Sequence, residues 1–289
     1  TLLSFPYLQK MVGGNDAHQY AVIGAMLGVV AAVMTLICGL LTKERLKSKR
    51  AEKFSFRQFA DLVHNKAWLY MTAIAVCTNF FNGFRYAVAG YMFEYCLHGN
   101  VTIEGLIINY TVFMAFGEVT CMIFGGLSPV FTKTVGSKRM AFFWSALLCL
   151  VLSIAFFFIP MSPDYIWVMI ALVILTSIGI GIYSPLMWSM YADVADYHTE
   201  HFGTSATGLI FSSGTMSQKF GTAISGSLIA LFLGWAGANM ITDKMGNTVI
   251  DPTSITDSVL MMVWSLFSLF PAAIAFLLMV LSYKFPIKK

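Results

Sequence analysis

Seven long apolar segments run through this chain, and each is long enough to cross a lipid bilayer as a helix. A spanning helix needs roughly 20 mostly apolar residues, whereas a barrel strand needs only about 9–11. Only helices and closed barrels satisfy every backbone polar group inside lipid. The segments therefore predict an all-α membrane protein. They lie at about 18–42, 67–93, 106–131, 140–159, 164–190, 207–235 and 258–284.

Charged residues are scarce, as expected for a chain that lies mostly inside lipid. They make up 11% of the sequence, against about 25% in an average soluble domain. The net charge of +4 is small and arises between the segments, so no nucleic-acid partner is expected. The five cysteines are scattered, without a CxxC or Cys/His spacing, and predict neither a disulfide framework nor a zinc site.

Lysine and arginine indicate the orientation, because cytoplasmic loops carry an excess of them. Of the 18 in the chain, 14 fall in the links that follow the first, third and seventh segments. These links share one side if the segments alternate, so that side and the C-terminus are predicted to be cytoplasmic. The link 191–206 falls on the same side, although it holds no Lys or Arg.

Four regions follow from this layout. Residues 1–17 are predicted to be the end of a preceding span and an external loop, and 18–42 a complete span. Residues 43–66 are predicted to be an amphipathic cytoplasmic connector, either a hinge between two bundles or a helix on the membrane surface. Residues 67–289 hold six further spans. Because the chain begins without Met or a basic leader, we expect a fragment of a longer protein.

A polar stripe runs along the sixth segment, although a charge at mid-bilayer costs about 2.5–3.5 kcal/mol on insertion scales. Lys219 is its centre, and Ser212, Thr215, Thr222 and Gly226 recur around it at helical spacing. The stripe could be a cavity wall, in which hydroxyls bond a polar solute and the ammonium attracts an anion or repels a competing cation. It could instead be structural, with the lysine paired to an intramembrane acid such as Glu118.

Further polar residues lie in the second and third segments. The second carries Asn79, Asn82, Arg85 and Tyr86, and amides with an arginine fork suit hydroxyl-rich or anionic ligands. The alternative is hydrogen bonding between helices, with Arg85 reaching to the interface. Glu118 in the third segment could carry a proton, bind a cation or form a structural pair.

The fifth segment and the link after it hold the remaining candidates. Gly and Pro in that segment permit a bend that lines a cavity, where Tyr183 could stack on a sugar ring or simply pack in the core. Asp193 and Asp196 are three residues apart and predict cytoplasmic gate salt bridges or helix caps rather than acid–base chemistry. His198 and His201 lack further ligands, so no metal is predicted.

No motif of an enzyme is present. The sequence has no nucleophile elbow, P-loop, HExxH or glycine-rich dinucleotide loop. We therefore expect no enzymatic activity and no cofactor.

Several runs of residues resemble one transporter family, the glycoside–pentoside–hexuronide:cation symporters. This is the melibiose-permease branch of the major facilitator superfamily. The run with the two aspartates and the lysine-bearing helix are the most specific part of the resemblance. The runs are Asn79-Phe80-Phe81-Asn82-Gly83-Phe84, Gly136-Ser137-Lys138-Arg139, Tyr191-Ala192-Asp193-Val194-Ala195-Asp196-Tyr197, Ala206-Thr207-Gly208-Leu209-Ile210-Phe211-Ser212, Gly214-Thr215 and Lys219-Phe220-Gly221.

The resemblance implies the major facilitator fold, with the seven segments as helices six to twelve of twelve. Segment one would be the last helix of an N-terminal bundle, and residues 43–66 would be the central cytoplasmic loop. The last six segments would form the C-terminal six-helix bundle, made of two inverted three-helix repeats. The rest of the N-terminal bundle, a partner of this site, would lie outside the chain.

The resemblance also implies symport of a sugar with Na⁺ or H⁺ across the cell membrane by alternating access. Lys219 and Thr215 match residues at the family's sugar and cation site, and Lys219 is predicted to take part in cation coupling. The two asparagines of segment two match cavity-side asparagines, and Tyr183 matches a region whose aromatic residues approach the sugar. The predicted substrate-binding residues are Lys219, Thr215, Asn82, Asn79, Tyr183 and Arg85.

Two other functions stay open at the level of the sequence. Seven spans and an external N-terminus also suit a receptor or photoreceptor, although its usual Asp-Arg-Tyr and Asn-Pro-x-x-Tyr motifs are absent and the membrane lysine is in the sixth span. A sensor paralogue that binds sugar without transporting it is the other alternative.

Overall fold

The chain forms two compact units, residues 1–55 and 56–289. The first contains α1 (Asp16–Leu41), a single helix whose apolar side chains, such as Val29, Leu36 and Leu40, are exposed. Such a surface requires lipid or other helices to cover it. The computed structural model describes residues 16–42, 56–103, 106–204, 206–242 and 248–287.

The second unit is a bundle of helices, which confirms the all-α prediction. Two short antiparallel hairpins connect helices at one end of it, β1 (Val101–Ile103) with β2 (Leu106–Ile108) and β3 (Met240–Thr242) with β4 (Thr248–Ile250). A π-helical turn, Met92–Cys96, follows α3. The helices are α2 (Phe56–His64), α3 (Lys66–Tyr91), α4 (Tyr110–Val135), α5 (Lys138–Phe157), α6 (Ile166–Phe202), α7 (Thr207–Trp235), α8 (Asp257–Phe267) and α9 (Leu269–Lys284).

Capping residues fix where several of these helices begin and end. The side chains of Asn65, Asn109 and Thr256 accept hydrogen bonds from the first free backbone N–H groups of α3, α4 and α8. Gly136 and Gly203 end α4 and α6 with φ of 81° and 67°, a left-handed conformation that glycine adopts without strain.

Five helical segments of the described residues are long and apolar enough to cross a membrane. Helices α3 and α7 are as long, with 26 and 29 residues, but their polar residues lower their mean hydropathy. They are the two helices that carry the asparagines and Lys219. The five segments are Ala21–Leu41, Tyr110–Val135, Lys138–Phe157, Pro163–Phe202 and Asp257–Lys284.

The helices of the second unit pack as two equivalent triplets. Helix α3 packs on α7 and α9, while α6 packs on α4 and α5, and α5 contacts α9. Exchanging α3 with α6, α4 with α7 and α5 with α9 leaves this set of pairs unchanged. The arrangement therefore has the two inverted three-helix repeats expected from the sequence, and α8 with α9 forms the last span.

Glycines allow the closest crossings, and they occur at equivalent places in the two repeats. Helices α3 and α7 meet at Gly83 and Gly221, and helices α6 and α4 meet at Gly181 and Gly117. A Cβ on Gly221 would lie 2.8 Å from the carbonyl oxygen of Val76. Small residues at these positions let two backbones approach where dispersion and polar contacts hold membrane helices together.

The structure corrects one sequence-based prediction and adds two features. The link 191–206 is not a loop, because α6 continues to Phe202 and buries Tyr191, Val194 and His198 on one face. The last span is broken at Ser268, since Pro271 cannot donate to the carbonyl of Phe267 and its ring crowds that group. The two hairpins were not predicted.

Candidate functional site

A polar cavity of about 570 Å³ opens on one face of the bundle, between the two helices of low hydropathy. Membrane-embedded polar groups of this density usually line a cavity or a pathway. The cavity is thus the candidate functional site. Its lining residues are Asn79, Asn82, Gly83, Tyr86 and Ala87 of α3 and Thr222, Ser225 and Gly226 of α7.

The hydroxyl groups on the α7 side are held by their own helix. Thr222 Oγ1 donates to the Gln218 carbonyl at 2.9 Å, and Ser225 Oγ donates to the Thr222 carbonyl at 2.7 Å. Ser225 is buried at the crossing with Gly83, whereas Thr222 is exposed and its oxygen keeps a lone pair for a donor in the cavity. On the α3 side, Asn79 Nδ2 donates to the Ala75 carbonyl at 2.8 Å. The cavity therefore presents preorganised acceptors, which suit the hydroxyl groups of a polyol.

Lys219 and Thr215 lie on the same exposed stripe of α7 as Thr222. Thr215 Oγ1 donates to the Ser212 carbonyl at 2.8 Å. The pairing of Lys219 with Glu118 does not occur: Lys138–Asp193 is the one salt bridge among the described residues. The ammonium of Lys219 is therefore available on the open face of the bundle.

Tyr86 lines the cavity and contacts Glu118, the acidic residue of the third predicted segment. Its hydroxyl donates to Glu118 Oε1 of α4, so Glu118 has a tyrosine rather than a lysine as its partner. The contact also fixes the tyrosine hydroxyl at the outer end of the cavity. Tyr86 is not among the predicted binding residues, although its spacing from Asn79 and Asn82 on one helical face was visible in the sequence.

Arg85 and Tyr183 lie inside the bundle and not on the open face. Arg85 is 6% exposed, with its guanidinium 5.8 Å from the centre of the Phe81 ring. Tyr183 is fully buried and stacks on Phe142 with 5.2 Å between ring centres. Neither side chain reaches the polar cavity in this arrangement of helices.

The two predicted gate residues differ in their surroundings. Both carboxylate oxygens of Asp193 accept from the ammonium of Lys138. The Nζ atom lies 2.9 Å from Oδ1 and 2.7 Å from Oδ2. The pair joins the start of α5 to the far part of α6. Asp196 is exposed, and none of the salt bridges between described residues includes it.

A buried polar contact lies at the same end of the bundle as this salt bridge. The ring of His198 is fully buried, and its Nδ1 lies 3.2 Å from Asn65 Nδ2. His198 also stacks on Phe202, with 4.7 Å between ring centres. No group of three or more metal-ligating side chains occurs in the described part of the chain.

The comparisons with known proteins agree with a membrane transporter. Residues 1–289 match the family model described as MFS/sugar transport protein. The chain is similar to the inner membrane symporter YicJ of Escherichia coli (strain K12), with 26% identity over 82% of this chain and 49% of that protein.

Two further relatives match over similar shares of both chains. The putative glycoside/cation symporter YagG of the same strain is 28% identical over 79% of this chain and 48% of its own length. The isoprimeverose transporter of Lactiplantibacillus pentosus is 23% identical over 81% and 48%. The chain thus spans about half the length of the curated relatives it matches.

Proposed function

Because this chain belongs to the MFS/sugar transport protein family, we propose that it is the C-terminal portion of a transporter that carries a sugar or glycoside together with Na⁺ or H⁺. The resemblance seen in the sequence is confirmed at the level of the family. Relatives named as a glycoside/cation symporter and an isoprimeverose transporter support this substrate class. The match favours a transporter over a seven-helix receptor.

The observation that carries the proposal is the polar cavity between α3 and α7. It lies in a unit whose other long helices are strongly apolar, so its amides and hydroxyls stand out as a binding surface. Asn79 and Asn82 would bind sugar hydroxyls within the cavity, and Thr215, which lies on the same stripe of α7 beyond the cavity lining, would bind a further hydroxyl. Hydrogen bonds between such fixed groups and a desolvated sugar set orientation and specificity.

Lys219 would couple the cation to the sugar. Its ammonium makes no salt bridge within the described chain, so an acid from outside this bundle would be its partner. A bound Na⁺ or H⁺ would compete with the ammonium for that acid, and the released lysine would then contact the sugar. Arg85 and Tyr183, being buried, would reach the substrate only after the helices separate.

Alternating access would use the two repeats as opposing halves of one bundle. Rocking of this bundle against the N-terminal one would expose the cavity to either side of the membrane. The Lys138–Asp193 pair would stabilise the cytoplasmic end of the bundle, and Asp196, on the exposed side of α6, would form a gate contact with the other bundle. The chain would lie in the cell membrane with its C-terminus in the cytoplasm.

The test is sugar counterflow and uptake with the full-length gene product in proteoliposomes. An imposed Na⁺ gradient and an imposed pH gradient, applied separately, identify the coupling ion. We expect Lys219→Ala to abolish gradient-driven uptake while membrane insertion stays intact. Lys133→Ala is the matched control, because Lys133 is exposed at the end of α4, away from the cavity.

Two results would contradict the proposal in different ways. Normal gradient-driven uptake by Lys219→Ala would show that the site is elsewhere. Sugar binding without counterflow in the unaltered protein would indicate a sensor rather than a transporter.

A further inference from the structure

A small internal cavity lies within the helical bundle, beside the buried side chain of Arg85. Its walls come from α3, α5, α6 and α8, and none of its lining residues lines the polar cavity on the open face. It leaves about 10 Å³ for the centre of a water-sized sphere, roughly the space that one buried water needs. Three of its lining side chains are polar, those of Arg85, Ser153 and Thr176, and the others are apolar.

Arg85 brings a positive charge to this internal cavity without a carboxylate in contact. The salt bridges between described residues do not include it, and its guanidinium lies over the Phe81 ring. Glu118 is the one acidic side chain among the described residues that interacts electrostatically with Arg85. Its Oε1 accepts from Tyr86, and successive residues of a helix do not share a face. Glu118 therefore lies on the side of α3 that faces the polar cavity, away from the internal one.

The two hydroxyl groups that line the internal cavity differ in their hydrogen bonds. Thr176 Oγ1 donates to the Leu172 carbonyl of its own helix at 2.7 Å, so its hydrogen is already used. Ser153 is buried, and its hydroxyl makes no hydrogen bond to another described residue. A serine hydroxyl can donate, and a guanidinium donates but cannot accept. Arg85 and Ser153 therefore offer the cavity a positive charge and several donors, with no acidic group opposite them.

A water molecule in the internal cavity would satisfy these donors but would leave the charge of Arg85 uncompensated. A buried charge without a partner is costly in apolar surroundings, and most of this cavity's walls are apolar. A monovalent anion supplies both the acceptor and the opposite charge. The volume suits a single-atom anion such as chloride, which is slightly larger than water, and excludes sulfate, phosphate and sugar carboxylates.

We propose that the internal cavity is a binding site for one chloride-sized monovalent anion, held by the guanidinium of Arg85 and the hydroxyl of Ser153. The anion neutralises the buried arginine and bridges α3 to α5. It stabilises the bundle in the arrangement in which Arg85 faces inward. The site is separate from the polar cavity, so this inference does not depend on the proposed sugar transport.

The experiment measures thermal unfolding of the purified full-length protein without sugar. Sodium concentration and ionic strength are held constant while chloride replaces methanesulfonate, an anion too large for the internal cavity. An anion that binds only the folded state stabilises it in a saturable manner. We expect chloride to raise the melting temperature by about 2–4 °C and the increase to level off as chloride rises.

Variants assign the chloride response to the internal cavity. Arg85→Gln removes the charge and should abolish the response. Ser153→Ala keeps the charge, removes one donor and should raise the chloride concentration for half the effect about tenfold, since hydrogen bonds to charged groups are strong. Thr176→Val is the matched control in the same cavity, because its hydroxyl hydrogen is already used. Arg139→Gln, which changes an arginine outside the cavity, should also keep the response.

Two results would overturn the anion site. One is an unaltered protein that melts at the same temperature in chloride and methanesulfonate, and the other is an equal chloride response in Arg85→Gln. If Arg85→Gln does not fold, the comparison of Ser153→Ala with Thr176→Val decides, and equal half-effect concentrations would overturn the site. Bromide gives a direct check, because its anomalous scattering in crystals should place the ion beside Arg85. Sugar counterflow is measured separately, so a failure of either proposal leaves the other standing.

Discussion

The ammonium of Lys138 lies 2.7 Å from Asp193 Oδ2 and 2.9 Å from Oδ1, and this ion pair joins the first residue of α5 to α6 nine residues before its end. Both residues belong to runs that resemble the symporter family. Their side chains are 29% and 16% exposed, so solvent screens the pair only in part.

Removal of this pair should shift the conformational equilibrium without unfolding the bundle. A partly exposed ion pair contributes up to about 1 kcal/mol, which corresponds to about a fivefold change in a two-state equilibrium. We expect Asp193→Asn to increase labelling of a cytoplasmic-side cysteine placed in the cavity. The doubly exchanged variant Lys138→Asp with Asp193→Lys should restore the original labelling rate. Failure of the exchange to restore it would mean that the pair has no role as a gate.

The crossing of α3 and α7 should be sensitive to a single methyl group. A Cβ on Gly221 would lie 2.8 Å from the Val76 carbonyl oxygen and 3.0 Å from Asn79 Cβ, and such overpacking costs about 1–3 kcal/mol. We expect Gly221→Ala to lower the thermal stability of the solubilised protein. Gly234→Ala in the same helix is the control, because no atom lies within 4 Å of its Cβ position. Equal melting temperatures for the two variants would contradict this packing.

Much of the fold follows from the sequence, since length and polarity decide it. The spans were predicted within a few residues, because lipid requires about the same length of apolar helix each time. The extension of α6 was missed because Asp193 and Asp196 interrupt the apolar run. Only the spacing of Tyr191, Val194 and His198, which share a buried face, indicated that the helix continues.

The candidate site was predictable only where a helix has one polar face. Asn79 and Thr222 lie on such faces and line one cavity. Helix α6 is apolar on nearly all sides, so its sequence does not indicate which side faces the core, and the burial of Tyr183 could not be inferred. A larger cavity of about 920 Å³ beside Tyr86 was not predicted, because Tyr95 and Ile250 of its lining meet only through tertiary packing.

Tyr183 should tolerate loss of its hydroxyl. Its oxygen is buried and has no hydrogen-bond partner among the described residues, a situation that costs about 1–3 kcal/mol, while its ring stacks on Phe142. We therefore expect Tyr183→Phe to keep or raise thermal stability and to leave sugar uptake within about twofold. Tyr183→Ala, which removes the ring, should lower stability by about 3–5 kcal/mol. Loss of uptake in a stable Tyr183→Phe protein would instead favour the sugar-binding role predicted from the sequence.

Asn65 should stabilise the junction between α3 and α6 through two separate contacts. Its Oδ1 accepts from the N–H groups of Ala67 and Trp68 at 2.9 Å and 3.3 Å, and its Nδ2 lies 3.2 Å from His198 Nδ1. Asn65→Ala removes both contacts, whereas Asn65→Ser keeps an N-cap oxygen and loses only the histidine contact. Loss of an N-cap costs about 1 kcal/mol, so thermal melting should rank the unaltered protein above Asn65→Ser and that above Asn65→Ala.

Hydrogen exchange at the junction of α3 and α6 tests the two contacts of Asn65 separately. Both variants remove the amide that contacts the buried His198 ring. Hydrogen exchange near the end of α6 should therefore increase in both. Protection at the start of α3 should fall only in Asn65→Ala, because only that change removes the cap. Equal exchange in α3 for the two variants would show that the cap does not hold the start of the helix.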